Sequence, residues 1–165
     1  MFYLLYVNVM SHSEQTYGEI IDIQKLYSII KTHIPDTCKY YFYDFGSGFG
    51  KIVESFGNKF QFSYGIEINK ERHEKANGDK RNSNSNYIHG NFFHTYVEHP
   101  SVVLCNNLCL GNGTLKRLSM KFNKELNNGD LLLVTKPLPL VKNQPDYSYT
   151  IDCSWGESEI YLYKM

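Results

Sequence analysis

One stretch of this 165-residue chain constrains its fold more than any other: Tyr41-Phe42-Tyr43-Asp44-Phe45-Gly46-Ser47-Gly48-Phe49-Gly50-Lys51. The aromatic run ending at Phe45 reads as a strand. Three alternating glycines make a tight turn, and Lys51-Ile52-Val53-Glu54-Ser55-Phe56-Gly57 reads as a short helix ending near Gly57. A strand that turns through glycines into a helix is the opening unit of an α/β sheet with a ligand site at its strand ends. Three ligands use such loops. Asp44-Phe45-Gly46 matches the kinase DFG, but no HRD-type loop or VAIK strand precedes it. A dinucleotide fingerprint needs G-x-G-x-x-G, yet Lys51 stands at the sixth position from Gly46, and Asp44 would oppose a pyrophosphate. No GK[ST] follows, so a P-loop is excluded.

The rest of the chain repeats the alternation. From Ile20 to Pro35, Ile23, Leu26, Tyr27 and Ile30 recur at helical spacing. FQFSYGIEI is a strand ending near Glu67, and NKERHEKANGDKRN begins as a charged helix before the polar loop NSNSN. NYIHGNFF gives a short strand and turn, and SVVLCNN a buried strand. TLKRLSMKFNKEL gives a helix with Leu115, Leu118, Met120 and Phe122 inward, and DLLLVTKPL another buried strand. SYTIDCSW and SEIYLYKM form a β-hairpin. The expected fold is α/β and Rossmann-like: a mostly parallel central sheet with helices on both faces and a C-terminal antiparallel hairpin. The expected organisation is an N-terminal apolar segment over 1–15 and a single domain over 16–165.

Composition narrows the partners. Lys plus Arg and Asp plus Glu number 17 each, so no global field steers the chain to nucleic acid or an acidic membrane. The opening MFYLLYVNVM is too short to span a bilayer and lacks a basic flank, which points to an intracellular protein with no membrane partner. Cys38, Cys105, Cys109 and Cys153 show no zinc spacing and the six His are scattered, so no metal is expected and buried free thiols are. Lys70, Arg72, Lys75, Lys80 and Arg81 are interleaved with Glu71, Glu74 and Asp79, the pattern of a solvated helix face.

S-adenosylmethionine (SAM) fits the loop where phosphate ligands do not. It carries an ammonium and a sulfonium, which a strand-end carboxylate such as Asp44 accommodates. Gly46, Ser47, Gly48, Phe49 and Gly50 let the backbone lie against a ligand. Glu67, ending the next strand, stands where an acid takes ribose hydroxyls.

Further stretches resemble the Dot-one family (disruptor of telomeric silencing), SAM-dependent methyltransferases of a histone lysine. Thr16-Tyr17-Gly18-Glu19 resembles its TYGE motif, Asp44 to Gly50 its DLGSGxG loop, and Gly65-Ile66-Glu67 its G-[VI]-E strand end. Gly90-Asn91-Phe92 resembles its G-D-F turn, and Cys105-Asn106-Asn107-Leu108-Cys109-Leu110-Gly111 its VNNFAFG segment. Thr135-Lys136-Pro137-Leu138 resembles its SKPF strand, and Ser154-Trp155 with Tyr161-Leu162-Tyr163 its SW and Tyr-rich strand. The resemblance implies that Tyr17, Gly18, Glu19 and Lys51 close over the methionine end and that Asn91 and Phe92 meet the adenine. It implies that Asn106 orients methionine or substrate groups, and that Leu108, Leu110 and Trp155 wall the lysine channel. Asn106, Trp155 and Tyr17 are thereby the expected catalytic residues. The same residues have plainer readings, Trp155 and the leucines as core and the tandem asparagines as turn formers or caps.

Five positions depart from the family pattern: Asn91 for Asp, Lys51 for Gln, Ile20 for Thr, and Leu108 and Leu110 for aromatics. The function expected is transfer of methyl from SAM to a lysine of a protein, a histone or nucleosome, which would place the protein in the nucleus. The alternatives are a class I methyltransferase for nucleic acid or a small molecule, and an inactive SAM-binding module. Against a base-amine enzyme, CNNLCLG stands where [DN]PP[YF] is expected.

Overall fold

The computed structural model describes residues 18–142 and 144–165. The apolar opening, the segment 1–15, Thr16 and Tyr17 lie outside the described residues. Helix α1 spans Ile23–His33, α2 Lys51–Phe56, α3 Lys70–Gly78 and α4 Asn112–Glu125. Strands β1 Tyr41–Phe45, β2 Phe62–Glu67, β3 Ser85–His89, β4 Ser101–Cys105, β5 Leu131–Val134, β6 Tyr147–Cys153 and β7 Gly156–Lys164 form one sheet, in the order β3-β2-β1-β4-β5-β7-β6. The first five are mutually parallel, while β7 runs antiparallel between β5 and β6. The strand order reverses between β1 and β4. Their C-terminal ends flank the crevice where an open α/β sheet receives ligand.

Two hydrophobic layers hold the sheet. On one side α1 and α2 bury Leu26, Ile30 and Phe56 against Phe42, Leu104 and Leu133. On the other, Leu115, Leu118 and Phe122 of α4 pack on Phe45, Val103 and Leu132. The strands β4 and β5 are buried along their whole length, as their unbroken apolar runs require when both faces are covered.

Three expectations differ. Helix α1 begins at Ile23 rather than Ile20. The Asp22 carboxylate caps it by accepting from Lys25 N–H at 2.9 Å, while Ile20 bridges Cys153 and Ile21 N–H donates to Asp152 O at 3.0 Å. Met120 is 59% exposed because it lies roughly opposite the stripe of Leu115, Leu118 and Phe122. All four cysteines are free, but only Cys105 and Cys153 are buried; Cys38 and Cys109 sit in exposed turns flanking strands. The α3 cations Lys70 and Lys75 pair with Glu74 and Asp79, the self-neutralised face the interleaved charges imply.

Candidate active site at the β1–β4 crevice

The loop after β1 owes its shape to left-handed backbone at Gly46 (φ 86°), Gly48 (φ 55°) and Gly50 (φ 75°). Gly46 and Ser47 N–H groups donate to Ile66 O at 2.8 and 3.1 Å, fastening the loop to β2. Gly65 permits this approach, since a methyl there would lie 2.6 Å from Ser47 Oγ. The buried Glu67 carboxylate accepts from Gly48 N–H at 2.9 Å through Oε2 and from Asn69 N–H at 2.7 Å through Oε1. Each oxygen keeps further acceptor capacity, so hydroxyl donors can still be received.

Asp44 ends β1 buried beneath the crevice. Burial, with the nearby Glu67 charge adding to it, pushes its carboxyl up to about 7. No described residue donates a hydrogen bond to it. A cation or hydrogen-bond donors entering the crevice would stabilise its carboxylate form. Ser47 Oγ is likewise buried without a partner among the described residues. Burial and the Asp44 charge together push the adjacent Cys105 thiol up, so it is no thiolate nucleophile.

The opposite wall is assembled from distant segments. Residues 18–22 form a strap along the end of β6: Ser154 N–H donates to Glu19 O at 2.8 Å, and Glu19 N–H donates to Ser154 Oγ at 3.0 Å. Trp155, 41% exposed in the β6–β7 turn, lies on Gly18 so closely that a methyl there would meet its ring at 2.2 Å. Asn106 Nδ2 donates to Gly18 O at 2.9 Å. The Thr135 hydroxyl shares its proton between Asn106 Oδ1 at 2.9 Å and Asn107 Oδ1 at 3.2 Å. Asn107 also grips Lys136, accepting from its N–H and donating to its C=O, both at 2.7 Å. Across the mouth, Lys51 Nζ lies 2.5 Å from Glu19 Oε2.

Gly18, Glu19, Asp44, Gly46, Ser47, Lys51 and Asn106 thus line one cleft, with Ile20, Ile52 and Leu104 supplying its apolar floor. The cleft holds about 30 Å³, the room of one or two waters. Gly48, Gly50 and Glu67 shape the loop from behind. Phe49 is 37% exposed beside it. Asn91 Oδ1 caps the turn over Phe92–His94 by accepting from Phe93 N–H at 3.0 Å, which commits its carbonyl oxygen. Phe92 stacks on Phe45 at 5.5 Å between centroids, so one face of the ring belongs to the core. Leu110 is half-buried against the α4 layer, while Leu108 is 41% exposed. Thr135 was missed because its role exists only through the two asparagines. Ile52 and Leu104 read in sequence as ordinary core.

The sheet order and the strand-end cradle define a Rossmann-like class I methyltransferase. The model of the family described as "Histone methylation protein DOT1" matches residues 6–150, and the chain belongs to that family of SAM-dependent methyltransferases. Solved structures share the fold at low identity. An RNA methyltransferase from Salinibacter ruber, with S-adenosyl-L-homocysteine (SAH), is 18% identical, with TM-score 0.68 over 86% of this chain and 90% of that one. Magnesium protoporphyrin IX methyltransferase from Synechocystis PCC 6803 is 11% identical, with TM-score 0.64 over 85% and 77%. Precorrin 8W decarboxylase from Methanobacterium thermoautotrophicum is 12% identical, with TM-score 0.59 over 86% and 90%. No curated protein matches the sequence. The residues present fit SAM. A buried carboxylate without a cation suits its ammonium, and a second, pre-oriented by two backbone N–H groups, suits its ribose.

Proposed function

We propose that the protein methylates a lysine amine of a protein substrate, a histone. The observation that carries this reading is the convergence of four separated segments on one cleft wall: Gly18-Glu19, Asn106-Asn107, Thr135-Lys136 and Ser154-Trp155. These segments carry the more specific part of the family resemblance, beyond the glycine loop common to many methyltransferases.

When bound, SAM supplies an electrophilic methyl on a sulfonium. Asp44 would hold the ammonium and Glu67 the ribose hydroxyls, with Lys51 and Glu19 at the methionine end. Asn91 and Phe92 would meet the adenine. The incoming lysine must be neutral, and apolar surroundings make its ammonium costly. Leu108, Leu110 and Trp155 would provide those surroundings, with Tyr17 closing the methionine end. The amine lone pair would form the N–C bond in line while the C–S pair returns to sulfur and SAH leaves, and the new ammonium would then lose a proton to water. Positioning and water exclusion carry such a displacement. Asn106, anchored on both sides, positions the strap rather than giving or taking a proton. A histone substrate would place the protein in the nucleus; no helix among the described residues is long and apolar enough to cross a membrane.

Transfer of labelled methyl from SAM to nucleosomes, free histones, total RNA and a small-molecule extract tests this reading. Label on a histone lysine is expected. Label on RNA or a small molecule alone would refute it, and SAH binding without any transfer would leave a SAM-binding module.

A further inference from the structure

The two faces of the sheet are unequally covered. Helices α1, α2 and α3 lie on one; on the other, α4 is the only helix among the described residues, because the β3–β4 connection contains only the 3-10 turn Phe92–His94. The β1–β2–β3 half of that second face carries a ladder of rings. Tyr41 stacks with Phe62 (6.4 Å, 13°), Phe62 tilts against Tyr64 (6.3 Å), and Tyr64 stacks with Tyr43 (5.0 Å, 13°). Phe62 is 36% exposed and Tyr96, in the crossing loop, 85%. Tyr43 is buried, Tyr41 and Tyr64 are half-buried, and with Phe62 they leave a partly exposed aromatic strip that can serve as an interaction surface.

The charge beside the ladder indicates what it takes. Glu98 is exposed, and its N–H donates to the Tyr43 hydroxyl at 3.0 Å, which fixes its backbone at the edge of the ladder. A side-chain hydrogen bond to its carboxylate is the leading cause that raises the Tyr41 hydroxyl above its ordinary pKa. Burial, with Glu98 adding, does the same for Tyr64. Two cations of α4 are engaged. Lys121 is bound to Thr95 O and Glu125, and Arg117 lies over the Phe93 ring. Glu98 keeps acceptor sites beyond the one the Tyr41 hydroxyl uses, and ring faces next to such a carboxylate attract guanidinium and ammonium groups, while the same carboxylate repels phosphate.

We propose that the ladder Tyr41–Phe62–Tyr64 with Glu98 is a docking surface for an arginine- and lysine-rich segment of the protein substrate. This rests on the protein-lysine reading and adds a second grip on the substrate, remote from the reacting amine. Tyr41 lies three residues before Asp44 on β1, about 10 Å along the strand. A basic segment held on the ladder therefore keeps its chain near the cleft and raises the local concentration of its lysines.

The test is binding of a short fluorescein-labelled peptide rich in Arg and Lys, followed by polarisation, to the full chain and to Glu98→Lys, Glu98→Gln and Phe62→Ala. Glu98→Lys is expected to weaken binding about tenfold or more, and Glu98→Gln and Phe62→Ala by a few fold. The SAH-induced rise in melting temperature should be unchanged in all three, which shows the variants folded. With nucleosomes as acceptor, Glu98→Lys should raise KM and leave kcat. Peptide binding indifferent to Glu98→Lys would overturn the proposal. So would binding of RNA or of a second copy of the chain that Phe62→Ala abolishes while the basic peptide does not bind. If the wild type binds the peptide through Glu98 but methylates only RNA, the docking surface stands and the lysine reading fails. Methylated histone with unchanged KM in Glu98→Lys gives the reverse.

Discussion

The two walls of the cleft are built on opposite physical terms. The β1–β2 wall is local in sequence and highly charged: Asp44 and Glu67 are both buried, with backbone N–H groups as the only donors among described residues. The strap wall is non-local and nearly neutral, held by amide and hydroxyl bonds between residues 88 and 135 positions apart. The contrast teaches that the first wall sacrifices stability to be ready for a cation, whereas the second adds stability by joining chain segments. Buried unpaired charge is costly, and satisfied neutral hydrogen bonds are mildly favourable.

The sharpest way to break this comparison is Asp44→Asn. A carboxyl whose pKa rises from 3.8 to about 7 on folding binds more protons folded than unfolded. Stability is therefore lost as pH rises between those values, by up to about 4 kcal/mol above neutrality. Asp44→Asn should raise the melting temperature at pH 8 much more than at pH 4, while abolishing the shift that saturating SAH gives the wild type. Destabilisation at pH 8 would show that Asp44 is already paired.

Next in size is Gly50→Ala. It forces φ 75° on a residue with a side chain and sets a methyl 2.4 Å from the Tyr87 ring. A loss of about 2–4 kcal/mol in urea unfolding is expected, partly relieved by adding Tyr87→Ala. On the other wall, Asn107→Ala removes the two-bond grip on Lys136 and the Thr135 contact, for about 1–3 kcal/mol. SAH should still bind that variant more tightly than it binds Asp44→Asn, which calorimetry would read directly. Smallest is Lys51→Met. With Lys51 64% exposed, its pair with Glu19 contributes under about 1 kcal/mol of stability, and a larger loss would mean that the pair holds the strap shut.

Most of the sheet was legible before folding because its elements are short and punctuated. Glycines mark the loop after β1, and unbroken apolar runs mark β4 and β5. Element ends were less legible where a remote partner competes: Ile20 and Ile21 carry helical periodicity, yet they pair with the end of β6. Within the site, Asp44 and Glu67 could be argued from chemistry, since each ends a strand beside a glycine turn. Asn106, Thr135 and Trp155 could not. Their meaning depends on contacts that no spacing reveals.

The sequence by itself determined the alternation of strands and helices, the left-handed loop and the two strand-end acids, because these follow from local backbone preference and polarity. Only the tertiary structure decided that residues 18–22 lie along β6 under Trp155 and Asn106, that burial raises the Asp44 carboxyl to about 7, and that no described helix covers the β1–β2–β3 half of one sheet face. Those outcomes depend on burial and on contacts between remote segments, which a linear pattern does not encode.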